Sequence, residues 1–408
     1  MITYIKLAWR NMFRNKRRTF IAGTAIGIGL AAMILSDAFM IGMNDNLIKS
    51  ATQSFLGEAQ IHQKEFRDTF EVEKTINDLE AVSNNLKNDS IVEHFTVRTM
   101  AIAMISSPAN VAAVSMVGIN PETEEYLSQI DEALIEGEYF SGESKYDVVI
   151  GYKLAELIEV ELGDRVVLTT AQAKTGELSQ EMFRISGIFK FNAADMDRGM
   201  AYIHLNRAQK MLGLENQAHQ IAIKFTDINM AQNKNLYFWE KFTVNDNEAV
   251  GWPVILPQLD AIFYLSDYSL GIMAVILFGI ISMGIVNTLF MSLHERMFEF
   301  GVMRAVGTRP MKMGLMILYE AGSLAVIASI IGSILGFVAV SLIAINGIDY
   351  TGIEYAGTTF RDPLYPVLSV MQFITYPFLF FIFTMITALI PAWSAVKMKP
   401  AEAMRKSF

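Results

Sequence analysis

Arg296 and Glu299 stand three residues apart in the segment IVNTLFMSLHERMFEFGVMRAVGTRPMKMGLMILYEAG, residues 285–322, where ionisable residue types and spacing could do work. On a helix an i,i+3 pair of opposite charges is within reach of contact. Met297, Phe300, Met303 and Val306 give such a helix an apolar side, Gly307 is placed to end it, and Pro310 suits the first turn of the next one. The chemistry on offer is docking and force transfer, not bond-making. An amphipathic helix can seat in a groove of a soluble partner, or it can simply join the apolar segments on either side. Topology alone leaves both readings open.

Two further acids, Asp37 and Glu320, are the only charged side chains within four long apolar stretches. Charge at bilayer depth is costly, so such groups pair or stay neutral. For Glu320 the preferred reading is a protonated or backbone-bonded carboxyl facing a helix bundle. The alternative is a polar latch to another helix or to the 294–307 segment. Asp37 is expected to reach the membrane interface; gripping a substrate amine or headgroup is the less favoured role. Gly23 and Gly27, like Gly332 and Gly336, have the small-xxx-small spacing that lets helices approach closely. Packing within one chain is expected ahead of a subunit interface. Most of the 25 methionines are expected to fill apolar cores.

Bond-making patterns are absent. The sequence contains no G-x-x-x-x-G-K-[ST] phosphate loop, no H-E-x-x-H and no G-x-S-x-G elbow. The five histidines have no ligand spacing, and without cysteine there is neither a disulfide nor a thiolate site. No catalytic residue, metal ligand or cofactor is expected of the chain itself.

The elements that must position these residues follow from hydropathy and charge. The apolar stretches Phe20–Met43, Ser269–Leu293, Met313–Ile345 and Phe373–Val396 each exceed the roughly 20 residues that span a bilayer as a helix. The first is read as a retained anchor, since its apolar run is longer than a signal h-region and no small-x-small cleavage site follows. Residues 1–18 carry six Lys/Arg and no acid, the 294–313 loop carries four Lys/Arg, and so does the tail after Val396. By the positive-inside rule both termini and that loop are cytoplasmic, which puts the 346–371 loop and the 44–267 block outside. The outer block holds 34 Asp/Glu against 18 Lys/Arg, a balance that argues against nucleic-acid binding. The basic inner face suits anionic lipid headgroups.

The expected division is thus a cytoplasmic amphipathic N-terminal helix at 1–18, spans at 19–43, 268–293, 313–345 and 372–396, an extracytoplasmic α/β domain at 44–267, a loop with a short helix at 294–312, an outer loop at 346–371 and a cytoplasmic tail at 397–408. Within the outer block, alternation and turn signals predict strands over 58–63, 91–104, 111–118, 148–150, 165–170, 181–189, 200–204 and 220–225. Helices are predicted over 75–88, 153–158 and 206–212, the last with Asn206 as a candidate cap. The expected fold class is a membrane α-helical protein of four spans with a large mixed α/β extracytoplasmic domain of two lobes between the first and second.

The pattern E-x-G-x-x-R-A-x-G, here Glu299, Gly301, Arg304, Ala305 and Gly307, followed by Glu320, resembles the C-terminal segment of the FtsX/MacB family of ABC transporter permeases, which includes the lipoprotein-releasing permeases. VVIGYKLAELIEVELGDRVVL (148–168), FRISGIF (183–189) and AYIHLNRAQKML (201–212) are similar to that family's periplasmic core domain, and LAWRNMFRNKRRT (7–19) also fits. The resemblance implies a non-catalytic membrane subunit of the bacterial inner membrane, paired with an identical or homologous permease and two copies of a separate ATPase that binds the ATP. It implies a coupling helix at 294–307, with Glu295, Arg296, Glu299, Phe300, Gly301, Arg304, Ala305 and Gly307 as coupling residues, and a central cavity lined by the first two spans. ATPase closure would be passed to the outer domains by mechanotransmission. An ATPase domain fused at the N-terminus, as in the macrolide-exporter branch, is not seen. LGEAQIHQ (56–63) looks closer to the lipoprotein-releasing branch, so extraction of a lipoprotein or other amphipathic substrate is the favoured task. Efflux of a drug or peptide with an adaptor and outer-membrane channel is the alternative. So is a non-transporting permease that regulates a cell-wall hydrolase or sensor kinase.

Overall fold

The computed structural model describes residues 16–140, 144–355, 358–360 and 362–399. The segment 1–15 and the tail from 400, assigned from sequence to an amphipathic helix and a basic tail, lie outside the described residues. The chain divides into a helical unit (residues 16–44, 263–349 and 364–399) and an α/β unit (45–262 and 350–363).

The membrane-type helices are numbered here α1–α6. The first, α1 (Lys16–Ala51), is 36 residues long, about 54 Å at 1.5 Å per residue. It therefore outlasts the roughly 30 Å hydrocarbon core and runs into a five-residue π turn, Thr52–Leu56, closed by Gly57 at φ +76°.

The α/β unit follows. Its strands are β1 (Ala59–Gln63), β2 (Val92–Ser106), β3 (Val111–Ile119), β4 (Leu134–Gly137), β5 (Asp147–Gly151), β6 (Arg165–Ala171), β7 (Leu178–Phe189), β8 (Met200–His204), β9 (Gln220–Phe225) and β10 (Asn247–Gly251). They lie in the order β10-β1-β9-β2-β3-β8-β5-β7-β4, with β6 bridging β2 and β7. β2 changes partner midway: Arg98 is opposite Gln220 of β9, and Thr99 is opposite Gly118 of β3. Beyond that point β2, β3, β8, β5, β7 and β6 pair in a closed ring, since Met104 of β2 meets Thr169 of β6 and Val166 of β6 meets Phe183 of β7. A closed ring leaves no free edge to recruit another chain.

Strict alternation explains the ring's core. In β6 the side chains of Val166, Leu168 and Thr170 point inward and their neighbours outward. These inner residues join Ile105, Val114, Met116, Val148, Ile150, Phe183 and Ile203, capped by the helices Tyr152–Ile158 and Leu205–Leu212. Each fully buried side chain of this size contributes about 2 kcal/mol. A second core gathers Phe55, Phe66, Ile119, Phe189 and Tyr202.

The chain then enters α2 (Pro257–Glu295), the short α3 (Met297–Ala305), α4 (Pro310–Asn346), α5 (Gln372–Thr387) and α6 (Leu389–Lys397). Four stretches, α1 with its π turn, α2, α4 and α5–α6 together, are long and apolar enough to cross a membrane. Among them Ile26, Leu30, Ile34, Phe278, Ile281, Leu324 and Phe380 form one buried cluster.

Several boundaries differ from the sequence reading. The helical approach to the second span, expected from sequence over Pro253–Tyr268, runs unbroken into it from Pro257. The last span is broken at Ala388, just ahead of Pro391, whose ring suits only a first helical turn. Residues 350–363 of the outer loop belong to the α/β unit: Thr359 Oγ1 donates to the Asn192 carbonyl at 3.0 Å and Asn46 Nδ2 to the Asp362 carbonyl at 3.1 Å. β4 and β10 were not anticipated, and His204, not Asn206, is the cap position of Leu205–Leu212.

Candidate functional site

The helical line of α2 stops at Glu295. Arg296, at φ −111° and ψ 14°, turns the chain, and α3 begins at Met297. The Arg296 side chain does not go to solvent. Its Nε donates to Glu299 Oε2 at 3.2 Å and its Nη1 to Glu320 Oε2 at 3.3 Å, with the guanidinium carbon 5.3 Å from the centre of the Phe300 ring. Ser292 Oγ donates to the other oxygen, Glu320 Oε1, at 2.6 Å. One carboxylate on α4 thus holds the last turn of α2 and the first residue before α3 together. Ser292, Arg296 and Glu320 are all buried, so each satisfies polar groups that water cannot reach. Removing one partner of a buried ion pair costs about 3–5 kcal/mol.

Glu320 therefore takes side-chain partners on neighbouring elements. The partners fit the alternative sequence reading, a polar latch to another helix and to the 294–307 segment, and they are side chains where the preferred reading allowed a backbone bond. The sequence had no signal for Ser292, which comes near Glu320 only once α2 and α4 pack.

Beneath the latch, Leu293, Phe300, Met313, Ile317, Ala392 and Ala395 form a dry floor that seats α3 on α2, α4 and α6. The apolar side of α3 is the expected one at Met297, Phe300 and Met303 and departs from it at Val306. Phe300 and Gly301 are buried and Met297 and Met303 half-buried, whereas Val306 is exposed. Phe298, Val302 and Val306, spaced by four and 50%, 40% and 84% exposed, form an outward apolar row. Beside it lie the exposed Glu295, Glu299 and Ala305 and the half-buried Arg304. α3 ends in a full Schellman closure: Thr308 N–H bonds the Met303 carbonyl at 2.9 Å, Gly307 N–H bonds the Arg304 carbonyl at 3.1 Å, and Gly307 adopts φ +101°. Pro310 opens α4. A short helix held rigidly from behind, with an apolar row in front, can pass a displacement to two spans.

The other sequence-derived residues lie elsewhere. Asp37 lies close to the Tyr376 side chain. Gly27 and Gly332 face each other across α1 and α4: a Cβ on Gly332 would come 2.7 Å from the Gly27 carbonyl oxygen, one on Gly27 3.1 Å from the Gly332 nitrogen. Gly23 rests against Ile327 and Ile331, and Gly336 against Ile34. All four glycines pack within this chain.

A second buried polar cluster, not anticipated, lies in the α/β unit. Arg98 donates through Nε and Nη2 to the two oxygens of Glu124 at 3.0 and 2.6 Å, and Ser128 Oγ adds a 2.7 Å bond to Glu124. Arg98 Nη1 donates to the Phe55 carbonyl at the π turn. The fork stands where β2 changes partner and ties it to the end of the α1 segment. Nearby, Glu58 is buried, and this desolvation pushes its carboxyl up to about 7, against the opposing pull of the Phe225 N–H and Lys224. Among the described residues no group of three or more His, Asp or Glu is gathered as a metal site.

Residues 19–234 match the family described as MacB-like periplasmic core domain, and residues 271–400 match FtsX-like permease C-terminal. The lipoprotein-releasing system transmembrane protein LolC of Buchnera aphidicola is 23% identical over 412 residues, covering 98% of this chain and 97% of that one. The corresponding LolE of Haemophilus influenzae is 21% identical and covers 99% of both chains. LolC of Xylella fastidiosa is 22% identical over 71% of this chain and 72% of its own. Among solved structures, the periplasmic region of MacB from Actinobacillus actinomycetemcomitans aligns with 50% of this chain and 94% of its own, at 14% identity and TM-score 0.35. The extracellular domain of the transporter YknZ aligns with 47% and 98%, at 13% identity and TM-score 0.33.

Proposed function

The chain belongs to the family of ABC transporter permeases that join a MacB-like periplasmic core domain to an FtsX-like C-terminal segment, and on that footing we propose that it is the non-ATPase subunit of a bacterial inner-membrane complex that extracts a lipoprotein or similar lipid-anchored substrate. The ATP is bound and hydrolysed by a separate ATPase, two copies to two permease subunits, identical or homologous. Both termini and α3 face the cytoplasm; the α/β unit faces the periplasm. The ATPase docks on the outward row of Phe298, Val302 and Val306, and its closure moves α3. The observation that carries this reading is the buried latch: Arg296 and Ser292 bonded to one carboxylate of α4. Through it, movement of a surface helix reaches α2 and α4 without slack. The choice of substrate is supported by near full-length relatives named for lipoprotein release.

The test is mild-detergent purification from native membranes, followed by mass spectrometry. An associated ATPase with a second permease and a lipidated protein is the expected result. Co-purification of an adaptor protein would favour efflux instead, and a cell-wall hydrolase or sensor kinase would favour signalling. Recovery with no nucleotide-hydrolysing partner would overturn the reading.

A further inference from the structure

α4 and α6 are packed side by side, yet they leave a groove of about 520 Å³ on the surface of the helical unit, within the size range of ligand sites. Its walls are wholly apolar: Met311, Leu315 and Leu318 from α4, and Ile390, Trp393 and Val396 from α6. Gly314 and Ala392 complete the lining. One end is marked by charge. Lys397 places its amine 3.6 Å from the centre of the Trp393 ring, at the groove's mouth. Arg309 and Lys312 flank Met311, and Lys399 follows Lys397; the stretches 309–319 and 389–399 contain no acid. A tryptophan with a lysine over its face, at the end of a span, is the arrangement of a membrane interface.

We propose that this groove is a binding site for one anionic phospholipid, with an acyl chain along the α4–α6 walls and the phosphate at Lys397 and Arg309. The inference rests on the reading of α4 and α5–α6 as spans, and is independent of the transported substrate. Phosphatidylcholine would fill the walls equally well and bring the same phosphate, but its quaternary ammonium adds a cation beside Lys397 and Arg309 and leaves the headgroup with no net charge, so it gains less there. An anionic headgroup gains about 1 kcal/mol for each basic residue it meets at a membrane surface. The same α4 and α6 supply Met313, Ile317, Ala392 and Ala395 to the floor under Phe300, so the lipid would brace the seat of α3.

The full chain, purified in mild detergent, is mixed in turn with phosphatidylglycerol and phosphatidylcholine of identical acyl chains, and retained lipid is read by native mass spectrometry. Phosphatidylglycerol is expected to remain bound at collision energies that strip phosphatidylcholine. The double variant Arg309→Gln, Lys397→Gln should lower phosphatidylglycerol retention roughly ten- to thirty-fold and that of phosphatidylcholine by much less. Leu315→Trp, or Ile390→Trp from the opposite wall, should lower it with every cation in place; two fillers guard against one that fails to fold. Equal retention of the two lipids by the unaltered chain overturns the proposal. So does loss in the cation variant with none in either well-folded filler, which would put the headgroup on a surface patch outside the groove.

Discussion

At Glu320, one carboxylate holds two helices, and its loss should separate stability from coupling. Glu320→Gln keeps an acceptor for Ser292 but leaves Arg296 with only Glu299, itself half in water. A hydrogen bond to a charged group is worth about 1.5–3 kcal/mol, and a loss of that order is expected in thermal unfolding of the purified chain. ATP turnover by the assembled complex should lose its response to substrate while assembly persists; an unaltered response would remove Glu320 from the coupling route. Glu58 makes a prediction about pH. Its carboxyl ionises near 4.5 when unfolded and near 7 when folded. Below 4.5 both states are protonated and nothing is lost. Between 4.5 and 7 only the unfolded state ionises, so this group's contribution to stability falls as pH rises, and the full cost remains above 7. Glu58→Gln, whose amide oxygen can still accept from Phe225 N–H, should therefore stabilise the protein at pH 8 by no more than about 3 kcal/mol, and the gain should shrink towards pH 5. A melting-temperature series for both proteins checks the sign. The latch was legible only as the less favoured reading of Glu320, and the fork was not legible at all. Glu320 and Arg296 stood out by type and setting, but Ser292 is an ordinary residue of an apolar run. Arg98 sits in a strand whose neighbours give no hint that its guanidinium is enclosed, because its partners are distant in sequence.

Glycine contacts separate the helices that must touch from the surfaces that are open. A Cβ on Gly332 meets the backbone of α1 and Leu30 within 3 Å, whereas one on Gly284 of α2 meets nothing within 4 Å. Gly332→Ala should cost about 1–3 kcal/mol through overpacking, and Gly284→Ala should be neutral or slightly favourable through helix propensity. Equal melting temperatures for the two variants would contradict the α1–α4 packing. The long apolar helices were legible because twenty or more apolar residues admit few other structures. Strands β6, β7, β8 and β9 were legible because alternation and a flanking turn agree, as at Gly163 and Gly176, both at positive φ. β4 and β10 escaped notice for a physical reason: each is a short strand at an end of the sheet order, so side-chain pattern constrains it weakly and its pairing is decided by distant partners. On α3 the expected apolar side holds except at Val306, which looks like Met303 in sequence but is exposed. Only the packing against Met313 and Ala395 shows which one is covered.

Across the whole molecule, the charge asymmetry makes sidedness testable. The chain has no cysteine, so single cysteines report without background. Of cysteines at Lys145 in the α/β unit and at Val306 at the end of α3, both exposed, the first should react with a membrane-impermeant maleimide in intact cells and the second only in inside-out membrane vesicles. Labelling of both from one side would overturn the topology. The α/β unit also carries a consequence of its strand order. β2 is hydrogen-bonded to β9 over its first half and to β3 over its second, so the two halves of the unit share a spine and no seam runs between them. Pushing one half must drag the other by way of Arg98 and Thr99. A strand shared in this way ties the two halves together, so they are expected to move as one body.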